Sequence, residues 1–289
     1  MYTIFVDSDC DMTPELCSKY GFKLISMPYS VDGKEVFPYV DFQEFDYKKF
    51  YQSLRDGVLP TTSALSPEQY KKYFEPEFAK GNDVLYIHFS AAMSGTFNAL
   101  HLALEELKEK YPERKCELID TKGITLGSYN ICCTIGDLLK TGKSVEEIIK
   151  MKDEIVDHTA FYFYADDLKF FKRSGRVGGF AAFMGGIIGI RPLIYIGDDG
   201  KMTTKAKSRG YKNTLQMLLG YVVELEDHIK DHRVVIAHSD ALKIAEEFGE
   251  MMKDKFGQDL AIEYIVVNPT AGSHCGPNAI GVSFHAKHR

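Results

Sequence analysis

A chain of 289 residues with 45% hydrophobic and 26% charged side chains has the make-up of a folded globule rather than a disordered segment, and it is long enough that two cores are expected. Its formal net charge of −6, with no run of Lys or Arg, excludes a broad nucleic-acid surface, because phosphate backbones are held by positive patches. The opening MYTIFVDSD reaches an acid without a basic segment and a long apolar one, so it does not read as a secretion signal; 177–190 is too short and glycine-rich for a spanning helix, and a cytoplasmic location is the expectation.

Along the chain, YTIFV reads as a strand, a helix starts at Pro14, and FKLISMPYS reads as the next strand. A hairpin follows, turning at Asp32-Gly33, a dipeptide suited to the positive φ angles of a type I′ turn. DVLYIHF is a strand, a helix covers about 94–110 and stops at Tyr111-Pro112, KCELID is a strand, and a helix covers about 126–139. Strands alternating with amphipathic helices predict an α/β/α three-layer domain with a mainly parallel sheet over residues 1–157. The second half, 158–289, offers six strands: HTAFYFYA, RPLIYIG, KMTTKAK, RVVIAHS, LAIEYIVVN and AIGVSFH. The short turn Asp198-Asp199-Gly200 joins two of them antiparallel, so an α+β domain with a mixed six-stranded sheet is expected there.

The six cysteines, at 10, 17, 116, 132, 133 and 275, form no CxxC pair and no zinc spacing with histidine, so they are expected as reduced, mostly buried thiols and no metal is called for. An activated thiolate at Cys275 beside His274 is disfavoured if the two lie in a strand, where neighbours face opposite sides.

The stretch FVDSDCDMT has two readings. Asp9-x-Asp11-x-Thr13 resembles the D-x-D-x-T of Mg²⁺-dependent phosphatases, with one carboxylate attacking phosphorus and the other moving a proton. The fit is loose, since Asp7 rather than Asp9 sits at the strand tip. A calcium loop counted from Asp7 fails at Met12 and Ser18, where glycine and glutamate are required. The other reading is structural: Asp11 or Thr13 caps the helix that Pro14 begins.

Hydroxyl residues cluster at two further places. LPTTSALSPEQY sets Thr61, Thr62 and Ser63 ahead of a helix with Ser66 as cap and Pro67 first, and HFSAAMSGTFNALHLAL sets Ser94-Gly95-Thr96 at a helix mouth. Amides at such an end, with the positive pole of the helix dipole, favour an anion such as a carboxylate or phosphate. A serine hydrolase using Ser94 and His274 is a further alternative, although Ser94 lacks a G-x-S-x-G elbow.

Six motifs in order resemble the DegV family, the fatty-acid-binding subunits of bacterial fatty acid kinase. They are Asp7-Ser8-x-x-Asp11, Thr62-Ser63 with Ser66-Pro67, Ser94-Gly95-Thr96, Gly175-Arg176 with RPLIYIGDDGKM, Lys207-x-Arg209, and His274-x-Gly276-Pro277. Two positions depart from the pattern: Arg191 stands where lysine is usual, and Asn278 replaces the final glycine of H-x-G-P-G.

The resemblance implies a lipid-binding protein that is no enzyme alone. The carboxyl group of a long-chain fatty acid would be held by Thr62 and Ser94 with help from His274, within a site also formed by Ser63, Gly95 and Thr96. The acyl chain would lie in an apolar tunnel. VGGFAAFMGGIIGI offers Phe180, Phe183, Met184, Ile187, Ile188 and Ile190 for that tunnel, among glycines that let backbone pack closely. A separate ATP-dependent kinase subunit would phosphorylate the presented carboxyl group to an acyl phosphate. This sequence itself carries no phosphate-binding loop or kinase signature. Arg209 and the basic cluster with Arg173 are candidates for the kinase contact. No cofactor is implied beyond the bound fatty acid, and the reading allows transient contact with a membrane surface.

Overall fold

The computed structural model of the protein describes residues 1–178 and 190–289. In chain order its first strands are β1 (Tyr2–Asp7), β2 (Lys23–Ile25), β3 (Tyr29–Val31), β4 (Lys34–Val36), β5 (Thr61–Thr62), β6 (Asp83–His88) and β7 (Cys116–Asp120). The accompanying helices are α1 (Pro14–Tyr20), α2 (Tyr47–Arg55), α3 (Pro67–Ala79), α4 (Thr96–Lys110), α5 (Leu126–Lys140) and α6 (Val145–Asp157). The second half supplies β8 (Thr159–Tyr164), α7 (Leu168–Ser174), β9 (Val177–Gly178), β10 (Ile190–Ile196), β11 (Met202–Arg209) and α8 (Tyr211–Leu225). The chain then runs through β12 (Val234–His238), α9 (Leu242–Phe256), β13 (Ile262–Val266), α10 (Pro269–Cys275) and β14 (Ile280–His285).

Four strands form a parallel sheet in the order β2-β1-β6-β7. Its helices begin where the sequence signals do. Thr13 accepts from the Leu16 amide ahead of Pro14, and Ser66 forms a reciprocal capping box with Gln69 ahead of Pro67. Phe5 and Tyr86 meet Phe74 of α3, and His88 meets Phe97 of α4, so these two helices cover one face. The FKLISMPYS stretch divides into β2 and β3, which belong to different sheets. Beyond it, β3 turns through Asp32 (φ 51°) and Gly33 (φ 77°) into β4, the double positive φ of a type I′ hairpin. β3 also pairs with β5, Tyr29 opposite Thr62, completing a small antiparallel sheet β4-β3-β5.

The larger sheet runs β13-β12-β14-β8-β10-β11-β9, parallel at β12/β13 and β11/β9 and antiparallel elsewhere. All six strands expected from the sequence are in it; the two-residue β9 adds a seventh at the edge. β8 is buried along its whole length because both faces are covered. Phe161 and Phe163 join a core lying between the two sheets, while Tyr162 and Tyr164 join a second core under α8 and α9, with Tyr162 stacked against Tyr195 and Tyr221. Each fully buried aromatic or leucine side chain there contributes about 1.5–3 kcal/mol.

Helix α5 belongs to both sheets, packing on β8, β12 and β14 and on the turn Ser8–Cys10 after β1. It can lie that close because of small residues: a Cβ on Gly127 would stand 2.4 Å from the Phe161 ring. The turn between α6 and β8 passes near residue 158, and the core between the sheets draws on side chains from both sides of that point. Among the described residues no helix is long and apolar enough to cross a membrane.

Candidate functional site

The loops at the carboxyl ends of β1, β5 and β6 converge with α10 at the mouth of the core between the sheets, the place where ligands enter open α/β sheets. The seven-residue α10 is a correction to the glycine-rich loop or strand expected around His274. It starts with Asn268, whose side chain accepts from the Ala271 amide (2.9 Å), followed by Pro269 in the first turn. Thr270 donates to the Met27 carbonyl (2.9 Å), Ser273 to the Pro269 carbonyl (2.7 Å), and the Tyr51 hydroxyl to the Val267 carbonyl (2.9 Å). Each of these bonds is buried, so the helix carrying His274 is firmly placed.

The opening acidic stretch takes part in that placement. Asp11, in the left-handed region at φ 53°, accepts from both the backbone N (2.9 Å) and side-chain Nδ2 (2.7 Å) of Asn268. Thr13, not Asp11, caps α1. Asp7 accepts from the Cys10 amide (3.1 Å), the Phe89 amide (3.2 Å) and the Tyr86 hydroxyl (3.0 Å), tying β1 to the end of β6. Burial pushes Asp7 up to about 6 and Asp11 up to about 7 despite these donors. Asp9 is raised well above the carboxylate range by burial and by the charges of Asp7 and Asp11. The phosphatase reading asks for ionised, accessible carboxylates; Asp7 and Asp11 are buried braces with their donors already in place. Among the described residues no group of three or more His, Cys, Asp or Glu is arranged to hold a metal ion.

Thr62 is fixed from the other side. Arg173, at the end of α7, donates to the carbonyls of Leu59 (2.6 Å) and Pro60, holding the strand that delivers Thr62. The Thr62 hydroxyl meets His274 Nε2 at 3.0 Å. Burial, then the positive charges of Arg176 and Arg173, push His274 down to about 4, so its ring is neutral at pH 7 and carries one N–H donor. Ser94 follows a 3-10 turn, Ala91–Met93, and accepts from the Thr96 amide (3.2 Å). Thr96 is buried and largely committed, accepting from the Leu65 amide (3.1 Å) and bonding the Tyr70 hydroxyl (2.9 Å). Ser63, more exposed, donates to Glu35.

Two cavities adjoin here, each with about 490 Å³ of space between atoms, mouth included. Thr62, Ser63, Ser94, Thr96 and His274 line the polar one, together with Asp9, Thr270 and Arg176. Five of the six expected carboxyl-site residues thus meet, and Gly95 supplies the N-cap of α4 beside them. The second cavity is apolar, walled by Phe163, Phe171, Val267, Ala237, Ala279 and Ile280. The two share Ile124, Met202, Ala271 and His274. None of the apolar-wall residues was singled out by sequence reasoning, because buried alternation in β8, β12 and β14 looks like ordinary core. Of the expected tunnel residues, Ile190 begins β10 and is half-buried; Phe180, Phe183, Met184, Ile187 and Ile188 lie outside the described residues.

Cys275 sits in α10 beside His274 rather than in a strand, so the opposite-face argument against it does not apply. Burial does: it pushes the thiol up to about 12 and keeps it protonated. His274 itself bonds Thr62, while the Ser94 hydroxyl is held by the Thr96 amide. Arg209, the other expected contact residue, ends β11 and is exposed.

Asn278 explains its own departure from glycine. It adopts φ 65°, a conformation open to glycine and tolerated by asparagine, and its side chain accepts from Arg55 (3.2 Å) and donates to Asp166 (3.3 Å). Asn278→Gly is expected to change stability by less than about 1 kcal/mol, and Asn278→Ala to cost about 1–2 kcal/mol, as urea unfolding would show.

The fold and site together define an α/β protein enclosing a polar cavity that opens onto an apolar one between two sheets. A family model described as "Uncharacterised protein, DegV family" matches residues 1–287, and the chain belongs to the DegV family. A DegV domain-containing protein of Clostridium perfringens is 33% identical over 98% of this chain and 97% of its own. Among solved structures, a DegV family protein from Thermus thermophilus, described by its fatty acid binding, superposes with a TM-score of 0.84 at 24% identity, covering 99% of each chain. A fatty acid (stearic acid)-binding protein from Eubacterium ventriosum gives 0.84 at 23% identity, again covering 99% of each chain.

Proposed function

We propose that the protein binds a long-chain fatty acid, with its carboxyl group in the polar cavity and its acyl chain in the apolar one. The observation that carries this reading is the junction of the two cavities at His274. The Ser94 hydroxyl, with either the Thr62 hydroxyl or the neutral imidazole N–H according to the tautomer of their shared bond, can donate to a carboxylate without a buried ammonium or guanidinium beside it. Thr96 and the Gly95 cap complete the wall. Each buried methylene adds about 0.8 kcal/mol, so a long chain binds tightly with few polar contacts. The fatty acid binding of the Thermus and Eubacterium proteins supports the same use of this fold. Phe180, Phe183, Met184, Ile187, Ile188 and Ile190 remain the proposed extension of the tunnel.

The presented carboxylate would attack the γ-phosphorus of ATP held by a separate kinase subunit, releasing ADP and leaving an acyl phosphate. The exposed Arg209 is the proposed kinase contact. Arg173 is proposed to act there chiefly by setting the 59–62 segment that leads into β5, since its guanidinium is engaged with the Leu59 and Pro60 carbonyls. The chain is read as a cytoplasmic carrier that does no chemistry alone.

Mass spectrometry of the organic extract from purified protein, set beside the intact native mass, tests this. About one fatty acid per chain supports the carrier; an empty protein that also refuses added oleate and palmitate overturns it. Ser94→Ala is expected to weaken oleate binding about tenfold, the loss of one hydrogen bond to a charged group, and unchanged affinity would remove Ser94 from the site.

A further inference from the structure

We propose that Asp9 recognises the ligand head group by sharing a single proton with it, so that the cavity accepts a carboxyl group and rejects the more highly charged acyl phosphate. The inference rests on the fatty acid reading above and adds to it the determinant of head-group selectivity.

Asp9 lies in the Ser8–Cys10 turn, is only 5% exposed, and lines the polar cavity with Thr62, Ser94 and His274. Its Oδ1 has no hydrogen-bond partner among the described residues. Such an atom is costly when buried unless something in the cavity satisfies it. Asp11 also leaves one oxygen, Oδ2, without a partner, but Asp7 and Asp11 each accept two or more hydrogen bonds from protein donors and neither lines the cavity.

Charged and titratable groups approach Asp9 from its own segment, from α10 and from α3, whose buried Tyr70 phenol is raised in part by the Asp9 charge. Asp7 and Asp11 flank it on its own segment. From α10 come the neutral His274 and the Thr270 hydroxyl, which lies within hydrogen-bonding reach of the Asp9 carboxyl group and slightly offsets its rise, although its proton is shared with the Met27 carbonyl. Arg176 stands on the cavity wall but is exposed. An ionised Asp9 would therefore place a further negative charge beside Asp7 and Asp11, with no cation buried against it among the described residues, and a bound carboxylate would add another. Protonated, Asp9 can donate O–H to the ligand carboxylate, and two carboxyl groups holding one proton form a strong charge-assisted bond. The rise in the Asp9 pKa from burial and from Asp7 and Asp11 agrees with this.

One proton neutralises half of a carboxyl–carboxylate pair, but it leaves a phosphate head still charged, because such a group carries about −1.5 to −2 near neutral pH. Phosphorylation of the ligand would thus weaken its hold and favour release of the product. Raising the pH past the point at which Asp9 loses its proton would weaken binding of the fatty acid itself.

The test uses the full chain with oleate as probe and measures dissociation constants from pH 6.5 to 9 for wild type and Asp9→Asn. The ratio of the two constants cancels the ligand's own titration. The wild type is expected to weaken relative to the variant by up to tenfold per pH unit, since one proton is linked to binding. Oleyl phosphate, offered as a competitor, should bind much more weakly than oleate to the wild type, with the gap narrowing tenfold or more in Asp9→Asn. Parallel pH profiles and an unchanged gap overturn the inference while leaving the fatty acid reading intact. A wild type that binds no oleate at any pH overturns both. Should the variant fail to fold, carboxyl-labelled ¹³C oleate bound to the wild type gives an independent result: a carboxyl shift that titrates with pH supports the shared proton, and a fully ionised, pH-invariant shift from pH 5 to 9 overturns it.

Discussion

As pH rises through neutrality the protein is expected to lose stability, by up to about 1.4 kcal/mol per pH unit for each carboxyl group still titrating. In the unfolded chain Asp7, Asp9 and Asp11 ionise near 3.9. In the folded protein Asp7 is pushed up to about 6 and Asp11 up to about 7, and Asp9 is raised well above its ordinary value. Between the unfolded and folded values the native state holds the extra proton. Stability therefore falls as pH rises through that interval, and the cost of each group is complete once its folded value is passed. Asp7 has nearly finished by pH 7, Asp11 is half ionised there, and Asp9 acts in the same direction.

Other groups bracket this window without filling it. His274, pushed down to about 4, binds fewer protons when folded, so it raises stability between about 4 and 6.5 and is silent above. His88, His238 and His285 shift in the same direction. Cys10, Cys17 and Cys275 are raised and act only above the ordinary thiol range near 8.5. Urea unfolding at pH 7 and 8.5 should show the wild type losing more stability than Asp9→Asn, in which only Asp11 of the three still titrates. An equal loss in both proteins would assign the effect to groups other than Asp9.

Much of the fold was legible because local signals agreed with tertiary need. Asp32-Gly33 and Asp198-Asp199-Gly200 both turn where expected, and Thr13-Pro14 and Ser66-Pro67 both start helices. The same signal stands at Asn268-Pro269, but the two glycines of AGSHCG and its few apolar residues hide the helix that follows. A seven-residue helix has no amphipathic period to reinforce its cap, and α10 exists through its anchors: Asp11 at one end, Tyr51 and Met27 along its side. Those partners are more than 200 residues away in sequence, which no local pattern reveals. FKLISMPYS reads as one strand for a related reason, since an apolar run says nothing about where the chain changes sheets.

The site divides in the same way. Hydroxyls at loop and helix starts mark the polar cavity, because Thr62, Ser63, Ser94 and Thr96 stand out against apolar surroundings. The apolar cavity is silent in sequence: Phe163, Ala237 and Ala279 differ from ordinary core residues only in facing a gap, and packing alone decides that. The acidic stretch was read for chemistry or capping, and its chief structural task is a brace across the chain from Asp11 to Asn268. Asp9 is the member left over once Asp7 and Asp11 have been given their donors.

His274→Ala and Thr62→Val are each expected to weaken oleate binding about 10- to 100-fold, and the double variant by less than the product of the two. The Thr62 hydroxyl and His274 Nε2 share a 3.0 Å hydrogen bond, so only two arrangements of its proton exist. If Nε2 carries the hydrogen, it donates to Thr62, and the hydroxyl hydrogen is free to point at the ligand. If Thr62 donates instead, Nδ1 carries the ring hydrogen and the Thr62 oxygen only accepts. In both, the position of one proton depends on the partner, and removing either group disturbs the other. A coupling of about 0.5–3 kcal/mol in a double-mutant cycle would record that dependence. His274→Gln, which keeps a neutral donor, should recover part of the loss. Because the ring is neutral at pH 7, these effects should hardly change between low and high salt, unlike those of an ammonium or guanidinium anchor exposed to screening. Fully additive single effects would show that Thr62 and His274 act separately, with the carboxyl group held by one of them and the other serving only to position the loop.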